Sequence, residues 1–286
     1  MSTFQPKHVL CPTDFSEHSA AALKAAGGVA KAFGARVIVL HAQRVDAPVY
    51  FTAAQTKALR AQLRRSARAA WGFVNDFATK YLPEEVEHSV LLMEDDPVIA
   101  VLRVLKDLRA GLVVMGTHGR TGLARIRLGS VTESVLRQVS VPMLTVGPRI
   151  KPTPRVGVFR RILCPVNYTD LAQAALEHAV ALAEKTKAEL VLAHVQEHGA
   201  EGETAEPLQQ LCAWVSGETR ARCAVREVVK SGNAAEQIVA EAKTSQVDCI
   251  VIGAHPRSFL GTTLFGSTTE LVIRNAPCPV LSVIRK

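Results

Sequence analysis

Residues 116–130 read GTHGRTGLARIRLGS, with glycines at 116, 119, 122 and 129 and a serine at 130. Four apolar residues, Leu112 to Met115, lead in, and the amphipathic run SVTESVLRQV leads out. A strand, a glycine-rich loop and a helix start in that order point to a bound anion. Glycine lets the backbone approach a ligand closely, and the first amides of a helix have no internal partner. Gly116 and Gly119 supply the close approach, and Gly129 with Ser130 opens the helix. Ser130 adds a hydroxyl donor or, alternatively, caps its own helix. Arg120, Arg125 and Arg127 lie in or beside the loop, where guanidinium groups could screen polyphosphate charge. Asp14 follows the apolar run HVLCP. It reads either as an acceptor for a ribose hydroxyl or as the cap of a helix beginning near Glu17.

The elements that carry these residues occur twice. HVLCPTDFSEHSAAAL from residue 8 aligns without a gap with RILCPVNYTDLAQAAL from residue 161, at an offset of 153. The stretch from 110 to 146 aligns with that from 247 to 283, at an offset of 137, so the second copy is 16 residues shorter in its middle. A period near 140 residues is too long for a solenoid and reads as two copies of one domain. The expected organisation is a first domain over 1–147, a proline-containing linker over 148–159 and a second domain over 160–286. In the first copy, apolar runs predict strands near 8–13, 36–42, 87–93, 111–116 and 142–147, with helices near 17–33, 52–80, 97–109 and 129–140. In the second, strands are expected near 161–166, 189–195, 224–230, 248–253 and 279–285. Strands alternating with helices, and continuous runs such as GLVVMG, indicate a doubly wound α/β domain with a parallel sheet covered on both faces.

Composition narrows the class. At 286 residues and 48% hydrophobic, the chain is long enough for two cores. It has no apolar run near the roughly 20 residues that span a membrane and no apolar signal core, so a cytoplasmic protein is expected. Six cysteines without a CxxC pair or zinc spacing are expected to be reduced thiols. The net charge of +8 is uneven: residues 1–150 carry 19 Lys and Arg against 12 Asp and Glu, and 151–286 carry 15 against 14. A basic first half suits a phosphate-bearing ligand or an acidic partner, although a soluble basic surface explains it equally. The basic stretch KALRAQLRRSARAAW in the second helix reads as a solvated face, and no nucleic-acid partner is expected.

The pattern G-x2-G-x9-G-[ST], met by Gly116, Gly119, Gly129 and Ser130, resembles the nucleotide signature of the universal stress proteins. PTDFSEHSAAAL resembles that family's first loop and helix, VIVLHAQ its second strand and VPMLTV its last. The resemblance covers both copies, so the whole chain is similar to a tandem member. It implies two open five-stranded sheets of order 3-2-1-4-5 with ATP, with or without magnesium, between strands 1 and 4. By position it implies that Asp14 contacts ribose, that the backbone at Ala42 faces adenine, and that Gly116, Gly119, Arg120, Gly129, Ser130 and Val131 surround ribose and phosphates. It also implies that the last strands pair the two domains within the chain as a pseudo-dimer, and that two chains associate further as a homodimer.

The second copy departs from this pattern. Asn167 stands for Asp14, and Pro256 for Gly119, which removes an amide donor. Thr262 and Leu264 replace Arg125 and Arg127, while Arg257 matches Arg120. Asn167, Val195, Gly253, Gly266 and Ser267 therefore make a weaker second site. In the first copy, Asp95 and Gly111 replace the second copy's Gly232 and Asp248. Asp95 and Asp96 before Pro97 read as a helix start, with a magnesium role as the alternative. No catalytic constellation stands out; His118 and His255 occupy matching positions that read as structural, and Cys11 and Cys164 read as packing residues with redox sensing as the alternative. The function expected is an ATP-binding stress-response or signalling protein acting through an unknown protein partner. The alternatives are a slow ATPase, and a scaffold whose second cleft, near Phe259, Leu260, Leu264 and Phe265, binds a partner or an apolar ligand.

Overall fold

The computed structural model describes residues 4–44, 50, 52–118, 128–196, 206–254 and 266–284, with the backbone alone for 59–68 and 206. The first repeat runs β1 (His8–Pro12), α1 (Glu17–Phe33), β2 (Arg36–Ala42), α2 (Ala53–Tyr81), β3 (His88–Met93), α3 (Pro97–Asp107), β4 (Leu112–Gly116), α4 (Ser130–Gln138) and β5 (Met143–Val146). The second runs β6 (Arg161–Val166), α5 (Asp170–Thr186), β7 (Glu189–Gln196), α6 (Glu206–Trp214), α7 (Gly217–Arg222), β8 (Val225–Ser231), α8 (Ala234–Thr244), β9 (Cys249–Ala254), α9 (Ser267–Asn275) and β10 (Val280–Ile284). Where the first repeat has the single helix α2, the shorter second repeat has two helices. Ser216 breaks them apart by capping α7 through the Thr219 amide.

Each repeat has the expected strand order 3-2-1-4-5 with parallel neighbours, and the expected pairing of the last strands merges the two sheets into one. β5 and β10 pair antiparallel, with Val280 opposite Thr145 and Leu281 opposite Leu144, giving a ten-stranded sheet. The physical reason lies in the two edges. Every residue of β5 and β10 is buried, and an apolar edge strand with unpaired amides and carbonyls is stable only when covered or paired. Pairing inside the chain joins the repeats without a second molecule.

Side chains alternate across the sheet into two apolar layers, each continuous through both repeats. Val9 and Cys11 of β1 face the layer covered by α1 and α5, and Leu10 faces the layer covered by α3, α4, α8 and α9. The segment over 148–159 packs rather than hangs: Ile150 and Phe159 are buried. Gly157, at φ +88, lies against Gly28 of α1. The N-terminal Phe4 bridges the repeats, edge-on to Phe33 of α1 and tilted against His178 of α5 with ring centroids 4.7 Å apart.

His178 gives this junction an expected pH response. Burial holds its pKa below the ordinary value near 6.5, outweighing the opposing effects of its hydrogen bond to the Ala174 carbonyl and of Glu177. Below pH 6.5 the unfolded chain takes up a proton that the folded chain refuses, so stability falls as pH drops through that range. His178→Phe keeps a ring against Phe4 and removes the titration. Thermal melts at pH 7.5 and 5.5 are expected to show a smaller acid-side loss in His178→Phe than in the parent; an equal loss would contradict this role.

Candidate ligand-binding cavities

The corner between β1 and α1 is built from a strained turn. Phe15 adopts φ +63, in the left-handed region that costs a bulky residue free energy. It is held there by its ring, which packs against His41, Phe73 and Phe77 at centroid distances of 4.6, 4.7 and 5.4 Å. The His41 Nδ1–H donates to the Thr13 carbonyl at 2.8 Å, tying the end of β2 to the same corner. The second repeat copies this arrangement: Tyr168 has φ +57, its ring stacks on His194 at 4.7 Å, and His194 Nδ1–H donates to Val166 at 2.9 Å.

The turn delivers Asp14 to the cavity but does not make it a helix cap. Ser16 is the N-cap of α1, accepting from the Ser19 amide. The Asp14 Oδ1 braces that cap, accepting from the Ser16 hydroxyl at 2.6 Å and the Ser16 amide at 3.1 Å. A carboxylate offers about four acceptor sites, so this bracing is compatible with a further hydroxyl contact. Asn167 repeats the geometry, accepting from the Thr169 hydroxyl at 2.7 Å, without the charge.

The other wall is the β4–α4 connection. Gly116 is a packing requirement as much as a loop feature: a Cβ there would lie 3.0 Å from His18 of α1. At Gly253 a Cβ would lie 2.6 Å from Leu171 Cγ. The Thr132 hydroxyl donates to the Gly116 carbonyl at 2.7 Å, and the Gly129 amide donates to Thr117 at 2.7 Å. Gly129 therefore positions the helix start with its own amide engaged. It is also the N-cap of α4, a place that Ser130 was expected to fill if it capped its helix.

Six of the eight helices whose N-cap is described, all but α4 and α9, are capped by a Ser, Thr, Asp or Asn side chain. α4 and α9 begin at Gly129 and Gly266 with no side-chain cap. Their leading amides and helix dipoles point at the two cavities, which is an electrostatic setting for an anion.

The first cavity, about 320 Å³, lies at the carboxyl ends of β1, β2 and β4. Asp14, Ala42, Gly116, Gly129, Ser130 and Val131 line it together, joined by His118, Thr13 and Ser19. Such an edge, where the winding reverses, is the usual ligand position of a doubly wound sheet, and the volume falls in the range of small-molecule sites. The second cavity, about 620 Å³, brings together Asn167, Val195, Gly253 and Gly266; Ser267 starts α9 beside it without being a lining residue. Gly119, Arg120, Arg125 and Arg127 lie outside the described residues, as do His255, Pro256, Arg257, Phe259, Leu260, Thr262, Leu264 and Phe265.

Several further residues that motif reasoning passed over frame this site from behind its lining. His18 sits over Gly116, its ring 6.0 Å from that of His118, with Nδ1 buried and without a hydrogen-bond partner among the described residues. Phe15, His41 and Ser16 form the corner. The matched His41/His194 and aromatic 15/168 positions of the two repeats were the available signal. Asp96 caps α3 through the Val98 and Ile99 amides, and Asp95 pairs with Arg103 at 2.8 Å, so both serve the helix start. No cluster of three metal-ligating side chains occurs among the described residues. Burial raises the thiols of Cys11 and Cys164, the latter to about 12, so neither is a thiolate near neutral pH, which favours packing over redox sensing. Gly111, where the second repeat has Asp248, leaves room for Pro6, whose Cα would be 3.1 Å from a Cβ. Asp248 instead accepts from the Arg160 and Arg161 amides at 2.8 and 2.9 Å. Among the described residues, no helix is long and apolar enough to cross a membrane.

Comparison with known proteins places the fold. The model of the universal stress protein family matches residues 6–147 and again 159–283. Universal stress protein MJ0531 of Methanocaldococcus jannaschii is 33% identical over 141 residues, covering 49% of this chain and 81% of its own length. A Thermus aquaticus universal stress protein is 29% identical over 140 residues, covering 49% of this chain and 98% of its own. A universal stress protein from Archaeoglobus fulgidus DSM 4304 superposes over 98% of this chain and 99% of its own, with TM-score 0.76 and 24% identity.

Proposed function

This chain is a tandem, two-repeat member of the universal stress protein family, and we propose that its first repeat binds ATP and works as a nucleotide-dependent stress-response or signalling protein. The phosphates rest on the leading amides of α4 with Ser130 and Val131. Asp14 accepts from the ribose hydroxyls, and the adenine lies along the β2 backbone at Ala42. Gly119 and Arg120 are assigned to the phosphates by their place in the motif alone. The observation that carries this reading is the uncapped start of α4 facing a carboxylate across one cavity.

Magnesium, if it accompanies ATP, would be held by phosphate oxygens and water rather than by a dedicated protein cage. The second repeat binds ATP weakly, since Asn167 brings no charge and Pro256 brings no amide. The bound state of the first repeat is what a protein partner reads.

The test is the nucleotide content of freshly purified protein, released by denaturation and separated by chromatography, followed by incubation with magnesium-ATP. Bound ATP that persists without ADP formation supports a sensor. Time-dependent ADP release that is lost on changing Gly119 would move the protein to the slow ATPases. Absence of nucleotide, with no uptake on addition, would overturn the reading.

A further inference from the structure

The β6–α5 wall of the second cavity differs from the matched β1–α1 wall of the first in one direction. At matched positions, Thr13 becomes Val166, His18 becomes Leu171 and Ser19 becomes Ala172. Each exchange removes a hydrogen-bonding side chain from the β1–α1 wall. In the first repeat Thr13 and Ser19 form a connected polar pair, with Thr13 bonded to Ser19 at 3.1 Å and Ser19 to the Ser16 carbonyl at 2.9 Å. At the floor and rim, Leu40 becomes Ala193 and Pro97 becomes Ala234, both smaller. The cavity is correspondingly wider, about 620 Å³ against about 320 Å³. Ile238, Ile252 and Val195 extend this apolar surface, while Asn167, Thr169, His194, Thr268, Thr269 and the start of α9 keep polar groups elsewhere in the lining.

We propose that the second cavity is a separate site for an apolar small molecule, one without sugar hydroxyls or a polyphosphate chain. A nucleotide placed here would meet the uncharged Asn167 in place of the Asp14 carboxylate, and Val166, Leu171 and Ala172 in place of hydrogen-bonding side chains, and buried polar groups left unpaired are costly. An aliphatic or aromatic body of the same volume removes apolar surface from water on both sides, the dominant favourable term for a site of this kind. The two repeats thus divide the labour, the first wall being polar and charged, the second apolar and roomy. This inference does not depend on what the first cavity binds.

The test uses N-phenyl-1-naphthylamine, a neutral apolar fluorophore, titrated into the full chain with and without magnesium-ATP at a concentration that fills the first repeat alone. Two variants restore the first repeat's bulk: Ala193→Leu at the floor, and Ala234→Pro at the first position of α8, where proline is well tolerated. The expected result is saturable binding of one fluorophore per chain, unchanged by ATP, and weakened at least about tenfold in whichever variants retain a cooperative thermal melt. Three results would overturn the proposal: no saturable binding, stoichiometric displacement by ATP, or unchanged affinity in the folded variants. A failure of ATP to bind anywhere would leave the fluorophore titration unaffected, so the two readings fail separately.

Discussion

Replacing Ser130 with proline is expected to weaken ATP binding by roughly 10- to 100-fold while leaving the fold intact. Ser130 is the first residue of α4, where proline fits because that amide has no partner inside the helix. Gly129 before it has φ −60 and ψ 142, the extended conformation that a residue preceding proline adopts. The substitution therefore takes away a backbone donor and a hydroxyl without disturbing the helix. A hydrogen bond to a charged group contributes about 1.5–3 kcal/mol, which gives the expected loss. Ser267→Pro is the matched control, since Gly266 has φ −53 and ψ 142. It should leave ATP affinity unchanged, because the second repeat is not the principal nucleotide site. Equal losses from both variants, or none from Ser130→Pro, would count against the assignment of the phosphates to α4.

Gly28→Ala should destabilise the chain by about 3 kcal/mol, lowering Tm by roughly 6–10 °C. Helix propensity alone predicts the opposite sign, since alanine in a helix interior is favoured over glycine by about 1 kcal/mol. The reason for the reversal is close backbone contact. A Cβ at Gly28 would stand 2.6 Å from the carbonyl carbon of Gly157 and closer still to its oxygen. Neither partner is a flexible side chain, so the 148–159 segment would have to lift from α1, pulling at the buried Ile150 and Phe159. Gly72→Ala in α2, where an added Cβ meets nothing within 4 Å, isolates propensity and should gain up to about 1 kcal/mol. Differential scanning calorimetry on the pair checks both signs; a neutral or stabilising Gly28→Ala would mean that the segment does not rest on α1.

The strands were legible because buried parallel strands are apolar on both faces, so LVVMG and CIVIGA stand out as continuous runs. The repeat was legible for the same reason: one packing problem solved twice leaves matching residues at matching places. What a linear pattern hid was contact between distant segments. The pairing of β5 with β10, which merges the two sheets into one, was implied by the family resemblance and by no local pattern. The left-handed corner at Phe15 and Tyr168 contradicts local preference and is held by rings from β2, α2, β7 and α6. Asp14 could be read from sequence as a helix cap because it stands two residues before Ser16, and both side chains suit that role. Gly116 looked like a ligand glycine, yet its contact with His18 gives it a packing duty that no spacing rule reveals.

The most direct test of the whole account is a calorimetric titration of nucleotide-free protein with magnesium-ATP, read for stoichiometry. The account predicts one strong site per chain, located in the first repeat. Two sites of equal affinity would contradict it, because they would mean that the charge of Asp14 and the amide lost at Pro256 make no difference to binding.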